Sequence, residues 1–370
     1  MRHLPKLNAV DAISPAFNLT KTNLFNPFRW GFWIRVAILG LLTGEMSSGG
    51  GCNFRMPANW NRPRHDQFVS SAPNFPHVDP HVLWAILPVI IATVVILSLI
   101  FMYISSVCRF VLLEAVLNGQ VSIRDGWSRW RGQGTRYFVF KLLFGLLFLA
   151  IIGTGALVLL MMFGVASWRH TGGPPASAIA GLIVGGLFLL LLALPFILVQ
   201  LLAKDFAVPV MALEGTTFGD AWRRVWAMGT SEPLSVAGYV GMKIVLSIAA
   251  AIIFGIITLI GLVILAIPTA IVGAMAFVIG KAIGLGIGPL TITLIVAAGV
   301  ILVACIIFVA AIIHVPVAMF FPSYALYFFA GRYQPLHDRL FPPPLPAPPV
   351  PEAPPEPPQG QEPPPEPLPT

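Results

Sequence analysis

Polar and apolar positions along this chain fall into long blocks rather than short alternations. Five nearly uncharged apolar blocks, roughly 82–107, 137–165, 177–203, 235–267 and 287–313, are separated by polar segments. A helix needs about 20 apolar residues to cross a bilayer, so each block is long enough. A sixth block, 28–43, is short. It either crosses a thinned region with Arg35 snorkelling or lies re-entrant or interfacial. The stretch 269–283 follows Pro268, ends near Lys281 and Gly284, and reads as a re-entrant or extramembrane helix. The expected fold is therefore all-α: a polytopic membrane protein with about six transmembrane helices.

Two polar segments repeat one amphipathic phrase. "LLEAVLNGQVSIRDGWSRW" occupies 112–130 and "ALEGTTFGDAWRRVW" occupies 212–226, each directly after an apolar block. Both open with Leu-Glu (Glu114, Glu214), and both place Ser or Thr three residues before Asp (Ser122 and Asp125, Thr217 and Asp220). That spacing is a capping pattern: the hydroxyl takes an orphan amide, and the acid sits at the positive end of the helix. At 100° per residue Phe218, Ala221, Trp222, Val225 and Trp226 share one face, with Asp220, Arg223 and Arg224 opposite. Ile123, Gly126, Trp127 and Trp130 make the equivalent face of the first copy, with Asp125, Ser128 and Arg129 opposite. Tryptophans on one side and arginines on the other predict short interfacial helices. Gly-Thr closes each copy (Gly134-Thr135, Gly229-Thr230).

An even number of crossings separates the copies, so the reading is two parallel repeats, approximately 82–165 and 177–267, followed by a final span, 287–313. A degenerate third exit, "VPVAMFFPSYALYFF" at 315–329, echoes "VPVMAL" at 208–213 but lacks the Trp-Arg helix. The domain reading is a cytoplasmic N-terminal segment 1–27, a membrane domain 28–335 and a tail 336–370.

The composition agrees with lipid as the main solvent: 57% hydrophobic and only 10% charged, against roughly a quarter charged in soluble domains. The net charge of +7 matters through its placement. With six crossings, fourteen Lys and Arg fall on the side of the termini and the repeated phrase, and five on the other. The richer side is expected to be cytoplasmic, and nucleic-acid binding is not expected. Three cysteines without C-x-x-C spacing suggest neither disulfides nor zinc. The N-terminal apolar stretch carries Arg35 and lacks a small-x-small cleavage site, so it reads as retained. The Pro- and Glu-rich tail reads as a disordered, semi-extended spacer.

"LFNPFRWGFWIRVAILGLLTGE" at 24–45, together with the Leu-Glu…Asp-Ala-Trp-Arg-Arg phrase, resembles the multi-pass membrane domain fused to some bacterial glycerophosphodiester phosphodiesterases. Such domains also occur alone in bacterial membrane proteins. The resemblance covers about residues 20–335 and implies a bacterial, multi-pass inner-membrane protein. It does not imply phosphodiesterase activity, which belongs to a separate soluble barrel.

Ionisable groups in or beside the blocks are the first candidates for function: Arg35, Lys141, Lys243 and His314, with Glu114 and Glu214 at the exits. Lys141 and Lys243 are close enough to their block ends to snorkel. Glu114 and Glu214 are expected to pair with Arg129 and Arg224 of their own copies. "HVDPH" at 77–81, with His65 and Asp66, reads as helix capping rather than a metal site. Gly181–Gly185 and Gly280–Gly284 have the spacing of close helix packing. No catalytic constellation, cofactor or metal is expected. Glu114, Asp125, Trp127, Arg129, Glu214, Asp220, Trp222, Arg223 and Arg224 are read as interfacial and structural residues. The functional expectation is a non-enzymatic structural, interaction or membrane-organising module, with membrane lipids and other membrane proteins as partners. The alternative is a transporter or lipid-handling protein.

Overall fold

The computed structural model describes residues 8–46, 80–164, 176–282 and 288–341. These are helical, with no named strand among them. Eleven α-helices follow in chain order: α1 (Ile13–Phe25), α2 (Trp30–Thr43), α3 (Pro80–Asn118), α4 (Ile123–Leu159), α5 (Ala176–Leu202), α6 (Val208–Glu214), α7 (Phe218–Ser231), α8 (Pro233–Ala282), α9 (Pro289–Ile313), α10 (Val315–Ala330) and α11 (Gln334–Leu340). A π-helical turn, Ala203–Ala207, joins α5 to α6, and another, Leu160–Gly164, extends α4.

Five segments are long and apolar enough to cross a membrane: Ile86–Asn118, Ile123–Met162, Ile179–Glu214, Pro233–Ala282 and Thr291–Ile313. They match the five long blocks of the sequence, and the chain is a membrane protein. Helix α2 is not among them. Its 14 residues rise only about 21 Å. Arg35 donates to the Val121 carbonyl (2.7 Å), and Glu45, just past the end of α2, binds Arg109. The helix therefore lies along the last turns of α3.

The five long helices are shafts on a base. In their most apolar windows no more than 6% of residues are buried, so the shafts do not supply the folding core. The core lies where they end. It joins Val107–Val116 of α3, Tyr137 of α4, Phe206–Met211, Ala221 and Val225 of α7, and Tyr239 of α8. Helix α10, the expected third exit, is the hub, with thirteen of its sixteen residues buried. A helix without charge and apolar all round belongs in a core or in a membrane, and this one, at 16 residues, is packed in the core. Helix α1 packs on α10, and Tyr324 donates to the Ala9 carbonyl (3.0 Å). The expected N-terminal segment is thus part of the base up to Ala9.

Two expectations about helix ends need correction. The stretch 269–283 is not separate, because α8 runs 50 residues straight through Pro268. A helical proline removes the hydrogen bond to the carbonyl four residues earlier, here Ile264, without ending the helix; the Thr269 hydroxyl beside it donates to the Leu265 and Ala266 carbonyls (2.9 Å each). The first Trp-Arg segment is also not a separate short helix, since Ile123–Leu159 is continuous from the phrase into the shaft. The second copy does form its own helix, α7, which stops at Glu232 before Pro233 begins α8. The difference is that proline. A pre-proline residue is pushed out of helical geometry, and the first copy has no proline at that point.

Candidate functional site

The charged side chains meet at the base, in a layer beneath the shafts. Glu45 stands between two cations: one carboxylate oxygen takes Arg109 and the other takes Lys204 (2.8 Å). Asp205, in the π-helical turn after α5, accepts from Lys243 of α8 and from the Tyr239 hydroxyl (2.9 Å). Glu45, Arg109, Asp205 and Lys243 are all buried. Burial by itself would push the Glu45 carboxyl up. The charges of Arg109, Lys204 and Lys243 outweigh burial and hold it at about 2, well below the ordinary carboxylate range. A cavity of about 30 Å³ lies between Glu45, Arg109, Lys204 and Asp205, walled by Pro209 and Pro322. It has room for about one water.

Lys243 therefore does not snorkel. Its ammonium is satisfied by the buried Asp205 carboxylate. Sequence reasoning passed over Glu45 and Asp205. The signal for Asp205 was present: it is the one acid bordering the third apolar block, and an intramembrane lysine calls for a carboxylate. Lys141 is half-buried, and no hydrogen bond or ion pair holds it among the described residues. His314 ends α9, with Nδ1 2.9 Å from the Ala310 carbonyl.

The nine residues singled out in the repeated phrase lie around the rim of this base. Arg129 pairs with Glu114 (2.5 Å), and Arg224 pairs with Glu214, each within its own copy. Glu114 also accepts from the Trp130 indole (2.6 Å), and Glu214 from the Tyr333 hydroxyl (2.5 Å). Burial and then Glu214 push the Tyr333 hydroxyl up from its ordinary value. Thr217 caps α7 as expected, accepting from the Asp220 amide (3.4 Å). Ser122 does not. Its hydroxyl donates to the Asp125 carboxylate instead (2.5 Å).

Trp127 meets Tyr103 edge-on, while Trp222 stacks on Phe218. Trp226, expected on the same face, is 60% exposed. Arg223 is exposed and only 4.0 Å from Asp220. Between the two Leu-Glu exits lies a cavity of about 480 Å³, lined by Glu114, Arg129, Trp130, Leu213 and Arg339.

The model of a family of unknown function, DUF7544, matches residues 7–338. The chain belongs to that family. No curated protein and no solved structure matches it. In this DUF7544 chain the match runs from before α1 into α11 and takes in all five shafts. The resemblance to phosphodiesterase-fused domains gains no link from it. His65, Asp66, His77–Asp79, Cys52, the interior of the 280–289 glycine run and the tail beyond Phe341 lie outside the described residues; the first residues of the expected tail, 336–340, instead belong to α11, where Leu336 is buried.

Proposed function

We propose that this chain is a non-enzymatic module of a bacterial inner membrane. It organises or docks onto other membrane components through its shafts and holds itself together through its base. The observation that carries this reading is the separation of the two parts. Large apolar side chains such as Leu187, Ile252 and Ile295 are more than half exposed on the shafts, while the ionic groups are mostly paired with one another below. Such shafts fit acyl chains or the helices of a partner.

The base is read as the cytoplasmic side, with two parallel repeats and six crossings; the sixth begins with the short stretch 28–43, whose helix α2 reaches only as far as Glu45 in the ionic layer. Three things support this: the Lys and Arg excess on that side, the matching Arg–Glu pairs of the two exits, and the packing of α1 on α10 next to α11. An even number of crossings leaves both chain ends together. Phosphodiesterase activity is not part of this proposal.

Photo-cross-linking from Leu187, Ile252 and Ile295 in native membranes tests it. Discrete protein adducts at one or more of these shafts are expected. Lipid adducts alone at all three would sink the interaction reading in favour of the lipid-handling alternative. That alternative draws its support from the buried Glu45 and Asp205 network, which lines an internal cavity.

A further inference from the structure

Hydrogen-bond donors predominate on the walls of the 480 Å³ cavity between the two Leu-Glu exits. Arg339 of α11 and Asn118 at the end of α3 line it, and neither side chain has a hydrogen bond or ion pair among the described residues. Arg129 lines it too, and its side chain is 62% exposed with Glu114 as its partner. The one carboxylate of the cavity, Glu114, is already answered by Arg129 and by the Trp130 indole. A second cavity of about 230 Å³ shares Glu114, Asn118 and Arg129 with the first. Its own acid, Asp125, holds the Ser122 hydroxyl in the first turn of α4, where a negative charge is favoured. Leu113, Leu117 and Leu213 make the apolar part of the wall. The complement of such a surface is a negatively charged chain that is rich in acceptors, poor in donors and studded with apolar rings.

The protein carries such a segment. The 29 residues after Phe341 include sixteen prolines and four Glu (Glu352, Glu356, Glu362 and Glu366), with no Lys or Arg. Every one of them offers a carbonyl, but proline has no N–H, so only thirteen offer a backbone donor. Proline rings pack against aromatic side chains, which is how Pro-rich peptides are held in aromatic-lined grooves. The segment also starts in the right place. The Phe341 ring rests on those of Tyr327 and His337, and Arg339, two residues earlier, already lines the cavity. Two residues of chain span about 7 Å at most, and the first Glu follows Phe341 by eleven residues, or about 35–40 Å of extended chain. Attachment this close gives the segment a local concentration on the order of millimolar, so even weak contacts suffice.

We propose that the cavity between the two exits is the docking site of the protein's own C-terminal segment, 342–370. Its carboxylates and carbonyls accept from Arg339, Arg129 and Asn118, and its proline rings lie against Trp130 and the leucines. This docking is independent of whether the shafts meet proteins or lipids.

The test uses the full chain in native membranes and in a neutral detergent, with a photo-cross-linking residue in place of Ala353, beside Glu352. Adducts are mapped by digestion and mass spectrometry. They are expected within one chain, on the cavity walls in 113–130 or 212–213. Arg339→Gln should lower their yield about two- to fivefold, the range of one exposed ion pair. Arg339 is exposed and holds no other group, so this change leaves the base intact. Changing all four Glu of the segment to Gln, which does not touch the base at all, should lower the yield further, and high salt should do the same to the wild type. Arg124→Gln, exposed on the same rim but on the wall of neither cavity, should leave it unchanged. Adducts only to a second copy, to another protein, to lipid or to the shafts overturn the proposal. So does an absence of adducts, or an unchanged yield in either the Arg339 or the Glu variants.

Discussion

Lys243, about three turns into α8, donates to Asp205 in the π-helical turn that follows α5, and the Tyr239 hydroxyl one turn earlier donates to the same carboxylate. This pair ties the fourth shaft to the third. Both side chains are at most 7% exposed, so neither charge has water to fall back on. Breaking such a pair from one side leaves a buried charge alone, at a cost of about 3–5 kcal/mol. Asp205→Asn and Lys243→Met should each lower the melting temperature in detergent sharply. The double variant should lose clearly less than the sum of the two. Additive losses would mean that the two groups do not interact in the folded protein.

The two Gly-Thr pairs that close the repeated phrase separate on substitution. A Cβ on Gly134 would sit 2.6 Å from Val107 Cγ2 and 2.9 Å from its Cα, whereas one on Gly229 meets nothing within 4 Å. Gly134 is where α4 crosses α3, and backbone cannot move aside as a side-chain tip can. Gly134→Ala should cost about 1–3 kcal/mol through overpacking. Gly229→Ala should be neutral or stabilising by up to about 1 kcal/mol, because alanine favours the helix. Unfolding curves of the two variants side by side decide it, and equal effects would remove the close crossing.

How far the fold was legible follows from what each pattern encodes. The five shafts could be read because apolar length is a one-dimensional property of the chain. The Arg129–Glu114 and Arg224–Glu214 pairs could be read because each forms within a single exit segment. The base could not. Glu45 meets Arg109 across 64 residues and Lys204 across 159, and no spacing rule reaches that far. The role of α10 was hidden for a different reason. A 16-residue uncharged helix reads equally as a failed span or as a core, and only its neighbours decide.

Orientation is open to direct measurement. Reporter fusions after Gly119, Gly215 and Gly331 should all report the cytoplasm, and one after Arg64 should report the opposite side, following the excess of Lys and Arg at the base. An outside signal at Gly215 alone would break the parallel arrangement of the two exits. A cytoplasmic signal after Arg64 would show that 28–43 does not cross.

The last prediction concerns acid. Glu45 has its carboxyl held at about 2, against an ordinary value of 4.5, because Arg109 and Lys204 take both its oxygens and outweigh its burial. A carboxyl with a lowered value binds fewer protons folded than unfolded. Its stabilisation is therefore complete above the ordinary value and drains away as the pH falls towards about 2. Between those limits the wild-type protein should lose stability more steeply than Glu45→Gln, whose amide does not titrate. The variant should be the less stable of the two at neutral pH, since Arg109 and Lys204 then face a neutral group. Arg109→Met should move the acid-sensitive window upward, because the largest favourable charge on Glu45 is gone. Melting temperatures at a series of pH values between 2 and 7 test all three statements. Parallel curves for wild type and Glu45→Gln would show that Glu45 is not the group that links the base to pH.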